Sequence, residues 1–195
     1  MFIERSLFAV ALGVVVSSAF AAPQCLASKN DLPVFQEEIL KKMNELRAQH
    51  GVQPLKLSAA LNTYAEERAN AVSQKGPPGP GHEGLKPGYG ENVYFGYSQG
   101  TVMFSGKTAV ENWYAEQKDF KGDDKSGAAA ERFTQMIWKG TTEVGCSRVA
   151  KQEPSYFSTY IVCVFAPQGN VKGQFAANVP PVSAEPLKIK PTKKK

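Results

Sequence analysis

The chain has no hydrophobic run long enough to cross a membrane. Its longest apolar stretch, residues 7–22, falls short of the roughly 20 apolar residues that a bilayer requires. Asn-x-Ser/Thr sequons are absent as well. These two absences exclude a membrane-spanning helix and N-linked glycosylation from what the sequence predicts.

Surplus positive charge is missing from the body of the chain, although 23 Lys and Arg outnumber 18 Asp and Glu overall. Without Arg5, Glu4, Glu185 and the lysines of the last eight residues, 17 basic residues stand against 16 acidic ones. Those five lysines are Lys188, Lys190, Lys193, Lys194 and Lys195. A domain that binds nucleic acid is therefore not expected.

The two ends of the chain differ in composition from the part between them. Residues 1–21 contain Arg5, an apolar run and the small-residue pattern Ala19-Phe20-Ala21, which is typical of a secretory signal peptide. A short N-terminal segment, residues 22–32, then precedes one domain at 33–180, whose length suits a single core. From 181 to 195, prolines and lysines leave little to bury, so we expect a disordered basic tail.

Cysteine is scarce, with three residues in the chain. Cys146 and Cys163 lie in apolar segments rich in strand-forming residues, where one disulfide would join neighbouring strands and agree with export. Cys25 lies near the predicted mature terminus and is left over. It either cross-links two chains into a dimer, is capped by a small thiol, or stays unpaired, and we favour the unpaired state.

Apolar periodicity predicts helices first and strands later. The first helix starts at Pro33 and ends at Gly51, and the second starts after the cap Ser58 and ends at Gly76. In the second helix Glu66, Glu67 and Arg68 are assigned to the polar face. The remaining predicted elements are a strand at 92–95, helices at 107–118 and 132–138, and strands at 143–149 and 159–165. This order indicates a layered α+β domain.

Four ordered motifs resemble those of one known family. They are Gly90-Glu91-Asn92, Trp113-Tyr114-Ala115-Glu116, the segment from Arg132 to Thr141, and the segment from Tyr160 to Asn170. Together they resemble the CAP superfamily, which comprises the cysteine-rich secretory, antigen 5 and group-one pathogenesis-related proteins. The resemblance implies a three-layer α-β-α sandwich from about Val34 to Pro180 and a disulfide between Cys146 and Cys163.

The resemblance also implies a cleft with two histidines and two glutamates, sometimes with a divalent metal. His82, Glu91 and Glu116 match three of these positions, but Arg132 stands where the second histidine belongs. A guanidinium has no lone pair for a metal, so we expect neither a metal nor a cofactor. We expect Arg132 to pair with Glu91 or Glu116 through its planar fork. His50, at the end of the first helix, is not expected to replace the lost histidine.

For function, the resemblance implies a secreted protein that acts by binding a lipid, a sterol or a protein target in defence or host interaction. The expected lipid contacts are Phe95, Tyr97, Met103 and Phe104, which flank a glycine-bounded loop. One alternative is a hydrolase that uses His82 with Glu91 or Glu116, and Ser98 is its candidate nucleophile. Another is a surface protein whose lysine tail attaches to an anionic membrane or polysaccharide.

Overall fold

Four strands form one mixed sheet in the computed structural model, which describes residues 31–76, 82–99 and 103–188. The helices in these ranges are α1 (Leu32–Gln49), α2 (Ala59–Lys75), α3 (Gly106–Tyr114), α4 (Asp124–Ala129), α5 (Glu131–Ile137) and α6 (Phe175–Asn178). A 3₁₀ helix, Ala115–Asp119, continues α3. The strands are β1 (Lys56–Leu57), β2 (Gly90–Ser98), β3 (Glu143–Gln152) and β4 (Phe157–Ala166).

The sheet has the strand order β1-β3-β4-β2, with a long hairpin of β3 and β4 at its centre. β2 pairs antiparallel with β4 along its whole length, and the short β1 runs parallel to β3. Cys146 and Cys163 lie directly opposite each other in the hairpin and form a disulfide, with their Cα atoms 4.2 Å apart. The predicted disulfide is therefore present in the fold.

Helices cover both faces of the sheet, which gives three layers. On one face α2 packs alone, and its Leu61, Ala65 and Ala69 meet Val162 and Val164 of β4. Gly145 of β3 lets α2 come this close, because a Cβ atom there would collide with the backbone at Leu61. On the other face α1, α3 and α5 build the larger core. The α+β sandwich expected from the sequence is confirmed.

Arg47, near the end of α1, joins that helix to the segment after α5. Its side chain is buried and has no ion pair among the described residues. Burial lowers the pKa of Arg47 to about 10, so the group stays charged at neutral pH. Four backbone carbonyls accept its hydrogen bonds, those of Gln53 (2.8 Å), Met136 (2.6 Å), Trp138 (3.0 Å) and Thr141 (3.0 Å).

The chain after residue 180 packs against the end of α1. Ser183 donates its backbone N–H to the carbonyl of Gln49 (2.7 Å), and Leu187 donates to Ala48 (3.0 Å). Residues 181–188 thus differ from the disordered tail that composition suggested. The predicted signal peptide, Cys25 and the tail from 189 lie outside the described residues. No helix within the described ranges is long and apolar enough to span a bilayer.

His50 is 2% exposed and connects the start of the C-terminal segment to α3. Its Nδ1 lies 2.7 Å from the carbonyl oxygen of Pro180, and its Nε2 lies 3.0 Å from the hydroxyl of Tyr114. Its ring also contacts that of Phe133. In the neutral tautomer Nδ1 donates to Pro180 and Nε2 accepts from Tyr114, so both ring nitrogens are satisfied.

The buried His50 predicts a loss of stability in acid. Burial lowers the pKa of His50 below its unfolded value near 6.5, so the unfolded chain binds the proton first. The neutral His50 ring therefore contributes its full stabilisation above about pH 6.5. This contribution to the free energy of unfolding decreases as pH falls from about 6.5 toward the lowered pKa. We expect His50→Gln to cost about 1–3 kcal/mol at neutral pH and to remove this decrease. Urea unfolding at a series of pH values measures both effects.

The matched control is His82→Gln, which changes the other histidine of the chain. It should keep the acid-induced decrease that belongs to His50. An unchanged pH profile in His50→Gln would contradict the assignment of the effect to this ring.

Candidate functional site

Glu91 lies at the start of β2, and its side chain is 1% exposed. Its two carboxylate oxygens receive a two-pronged contact from Arg68 of α2: Nε donates to Oε2 (2.6 Å) and Nη2 to Oε1 (2.9 Å). Nδ1 of His82 lies 2.9 Å from the same Oε1. A helix, a strand and the loop before the strand therefore meet at one carboxylate.

Arg68 was assigned to the polar face of its helix, and that assignment is wrong, because the residue is buried. The signal that reveals it is spacing. Arg68 follows Leu61 and Ala65 and precedes Val72 at intervals of three and four residues, which places it on the apolar stripe. A charged residue at such a position requires a buried partner, and Glu91 is that partner.

The charges in this group stabilise one another. Burial alone would raise the pKa of the Glu91 carboxyl, but hydrogen bonds from His82 and Arg68 outweigh burial and lower it. The hydrogen bond to Glu91 raises the pKa of His82, against the opposing effect of burial, and the negative charge of Glu131 raises it further. The group is therefore a carboxylate held between a permanent cation and an imidazole that readily becomes one.

The loop that carries His82 is fastened to α2 by neighbouring contacts. Arg68 donates a third hydrogen bond, from Nη1 to the carbonyl of Glu83 (2.8 Å). The hydroxyl of Tyr64 accepts from the backbone N–H of Lys86 (2.8 Å), and the ammonium of Lys86 lies over the Tyr64 ring. His82 is thus positioned both by its own hydrogen bond and by the contacts of its loop.

Arg132 and Glu116 form a second pair. Nε of Arg132 donates to Oε1 of Glu116 (2.5 Å), so the contact uses one nitrogen of the guanidinium and not the expected fork. Oε2 of Glu116 accepts from the backbone N–H groups of Arg132 (3.0 Å) and Phe133 (3.3 Å) at the start of α5. Of the two partners expected for Arg132, Glu116 is the one found.

Asn92 connects the two pairs. It follows Glu91 in β2, and its side-chain amide donates to the backbone carbonyl of Arg132 (2.9 Å). The four residues that match the family's cleft, His82, Glu91, Glu116 and Arg132, therefore meet as two ion pairs on adjoining elements. Sequence reasoning missed Arg68 and the bridging role of Asn92.

The residues present do not fit a divalent metal. Both oxygens of Glu91 are bonded to a guanidinium, Nδ1 of His82 is bonded to Glu91, and Arg132 has no lone pair to offer. Among the residues that the structure describes, no group of three or more His, Cys, Asp or Glu side chains is placed to hold a metal ion. The same bonds commit the groups that a hydrolase would use as acid and base.

Ser98 does not join the cleft residues. It ends β2, seven residues after Glu91, and an extended strand advances about 3.3 Å per residue. The two side chains are therefore separated by roughly 20 Å along the strand and lie on opposite faces of the sheet. The combination of Ser98, His82 and Glu91 that a serine hydrolase would need is not assembled.

Three of the four expected lipid contacts, Phe95, Tyr97 and Phe104, divide between the two faces of β2. Phe95 and Tyr97 lie on the α2 side, and Tyr97 is 68% exposed. Phe104 packs against Tyr94 and over Gly96 on the other side, at the margin of the larger core, so it is a packing residue. Met103 is half-buried.

The altered cleft predicts weak zinc binding or none. Isothermal calorimetry compares zinc binding by the wild type and by His82→Ala. We expect no zinc binding in the wild type that requires His82. Arg132→His restores one imidazole but leaves Glu91 bonded to Arg68, so we expect little gain. The double variant Arg68→Ala with Arg132→His frees the carboxylate and should bind zinc more tightly than Arg132→His alone.

Circular dichroism should be used to check that each of these variants is folded. Micromolar zinc affinity in the wild type that His82→Ala abolishes would contradict the prediction. The same affinity unaffected by His82→Ala would place the metal elsewhere.

Comparisons with known proteins agree with this fold. The family model described as "CAP: Cysteine-rich secretory protein family" matches residues 40–165. A Candida albicans protein named probable pathogenesis-related protein CaO19.6200 is 36% identical over 157 residues, which cover 78% of this chain but 44% of that protein. The human Golgi-associated plant pathogenesis-related protein 1 is 34% identical over 151 residues, covering 75% and 93%.

Among solved structures, BmVAL-1 superposes with a TM-score of 0.61 at 21% identity, covering 82% of this chain and 87% of that one. This likeness concerns the fold. The chain spans less than half the length of the Candida albicans relative, whereas it spans nearly all of the human one. On the family model and the human relative, the chain belongs to the CAP family of cysteine-rich secretory proteins.

Proposed function

We propose that this protein is secreted and acts by binding a lipid of the sterol type in a defence or host-interaction role. The observation that carries the proposal is a strip of four aromatic rings in mutual contact at one end of the sheet, Phe95, Tyr97, Tyr156 and Tyr160, called here the aromatic strip. The family's name denotes secretion, and both relatives are named pathogenesis-related. Residues 1–21 carry the pattern of a signal peptide.

The aromatic strip is built as a buried base with exposed edges. Phe95 packs against the buried Tyr160 with ring centroids 4.9 Å apart and the ring planes tilted by 48°. Tyr97 contacts Phe95 (6.3 Å) and Tyr156 (6.0 Å), and both tyrosines are exposed. Exposed aromatic area costs free energy in water, and this strip is contiguous where exposed apolar side chains are usually scattered.

The position of α2 leaves this end of the sheet accessible. α2 packs over β3 and β4, and its last residue is Lys75. β2 lies at the outer side of β4, so Phe95 and Tyr97 project beyond the area that the helix covers. A flat ring system placed there gains apolar contact with Phe95 and Tyr97 and hydrogen bonds from the tyrosine hydroxyls at the rim.

The cleft supports binding as the mode of action. The carboxylates of Glu91 and Glu116 are bonded to Arg68 and Arg132, the imidazole of His82 is bonded to Glu91, and these contacts join separate elements of the fold. The basic tail was expected to bind a second class of ligand, anionic surfaces, and its part from residue 189 lies outside the described residues. A test of function therefore starts with the aromatic strip.

Tyr97→Ser should weaken sterol binding, because Tyr97 contributes the largest exposed ring of the strip. Loss of one such contact area costs on the order of 1–2 kcal/mol, which is about a tenfold rise in Kd. Binding of a fluorescent sterol to the wild type and to Tyr97→Ser measures the change. Phe95→Ser tests the neighbouring ring.

Val34→Ser is the matched control, since Val34 is 74% exposed on α1 and lies outside the strip. It should bind as the wild type does. Equal sterol affinity in all three variants would contradict the proposal. Purified protein in which mass spectrometry detects no bound lipid would contradict it as well.

A further inference from the structure

Two exposed tyrosines, Tyr97 near the end of β2 and Tyr156 just before β4, are in ring contact at one end of the sheet. We infer that this pair is a covalent modification site, at which a one-electron oxidant of the haem peroxidase class joins the two rings by a carbon–carbon bond to give dityrosine. The inference concerns the chemistry of these two phenols and does not depend on the proposed sterol binding.

The backbone brings the two side chains to the same face of the sheet. In the antiparallel pairing of β2 with β4, Tyr97 lies opposite Ser158. Tyr156 precedes Ser158 by two residues, so it is the diagonal neighbour of Tyr97, and diagonal neighbours are within reach of aromatic side chains. The ring centroids are accordingly 6.0 Å apart, with the ring planes at 66° to each other.

Both rings are accessible to an oxidant and have room to turn toward each other. Tyr97 is 68% exposed and Tyr156 is 38% exposed. Exposed side chains change rotamer within picoseconds to nanoseconds, so the two ring edges meet frequently without a change in the backbone. Radicals formed on these rings therefore have each other as the nearest partner.

A second pair of tyrosines has similar ring geometry but is protected. The ring centroids of Tyr64 and Tyr89 are 5.6 Å apart. Tyr64 is 8% exposed, and its hydroxyl accepts a hydrogen bond from the backbone N–H of Lys86 (2.8 Å). If ring contact alone decided the reaction, both pairs would couple. Accessibility selects Tyr97 and Tyr156.

The coupling balances with hydrogen peroxide as the oxidant that the peroxidase consumes. Each phenol loses one electron and one proton and becomes a phenoxyl radical. The two radicals combine at the ring carbons next to the oxygens, which forms one carbon–carbon bond. The hydrogen on each of these carbons then leaves as a proton, and each oxygen takes up a proton, so both phenols are restored. The peroxide accepts the two electrons and two protons and becomes two water molecules.

The new bond would tie the outer strand β2 to the start of β4. The disulfide of Cys146 and Cys163 joins β4 to β3 instead, so the two links would hold the central strand on both sides. A cross-link that closes a loop of roughly 60 residues restricts the unfolded chain. The cross-linked protein should therefore resist unfolding better than the unmodified protein.

The experiment treats the full chain with a haem peroxidase and hydrogen peroxide, then reduces the disulfide and digests the protein with trypsin. Trypsin cuts after Lys and Arg, so it releases Tyr97 in the peptide 76–107 and Tyr156 in the peptide 152–172. Mass spectrometry should find these two peptides joined, with two hydrogens fewer than their sum. On a denaturing gel the product should run as a monomer, and its yield should not change with protein concentration. Its urea unfolding midpoint should be higher than that of untreated protein.

Tyr97→Phe and Tyr156→Phe each keep the ring and remove the hydroxyl, so each should abolish the joined peptide and the rise in the unfolding midpoint. Tyr89→Phe is the matched control, because Tyr89 lies in the same tryptic peptide as Tyr97. It should leave the yield unchanged. Sterol binding is measured on untreated protein, so the two proposals can fail separately.

Absence of the joined peptide from the treated wild type would overturn the inference. So would a joined peptide that persists in Tyr97→Phe or one that forms only in cross-linked dimers. An equal yield of the peptide 57–68 joined to 76–107 would also overturn it, because that product would place the reaction at Tyr64 and Tyr89.

Discussion

The carboxylate of Glu91 is a buried charge, and the arrangement around it follows from the need to compensate that charge. An isolated carboxylate in a protein interior is strongly unfavourable unless it is paired and hydrogen-bonded. Arg68 supplies two donors from α2, and His82 supplies a third from the loop before β2. Three segments distant in sequence are thereby held at one point.

A second ion pair, Arg132 with Glu116, is connected to the first through the side-chain amide of Asn92. Arg132 stands where the family resemblance places a histidine, and it donates to Glu116, whose other oxygen caps the start of α5. Arg132 is partly exposed, so this pair is worth less than the buried one. With both glutamates bonded to guanidinium groups, the cleft residues join structural elements and leave no ligand set for a metal.

Long periodic patterns in the sequence were sufficient to predict the main elements. α1 and α2 begin and end within two residues of their predicted bounds because Pro33, Gly51, Ser58 and Gly76 mark them. Short elements carry too little pattern. β1 has two residues and α6 has four, and both are fixed by packing. α4 was missed although Asp123 and Ser126 form a capping box that the sequence displays.

The candidate site was predicted in part. The family resemblance identified His82, Glu91, Glu116 and Arg132. Arg68 was missed because it was grouped with its charged neighbours, although its spacing places it on the apolar stripe of α2. Phe104 was expected at a lipid surface because it follows a glycine-rich loop. Its packing over Gly96 depends on which face of β2 the returning chain meets, and no local pattern specifies that.

A double-mutant cycle on Arg68 and Glu91 tests the central claim, that a buried ion pair organises the cleft. Arg68→Met and Glu91→Gln should each lower the free energy of unfolding by about 3–5 kcal/mol, because each leaves a buried group without its partner. The double variant should lose at least about 1 kcal/mol less than the two single losses together. The exposed pair of Lys75 and Glu83 is the reference and should couple much more weakly, because solvent screens it. Additive losses at Arg68 and Glu91, or a coupling no larger than that of the reference pair, would contradict the account.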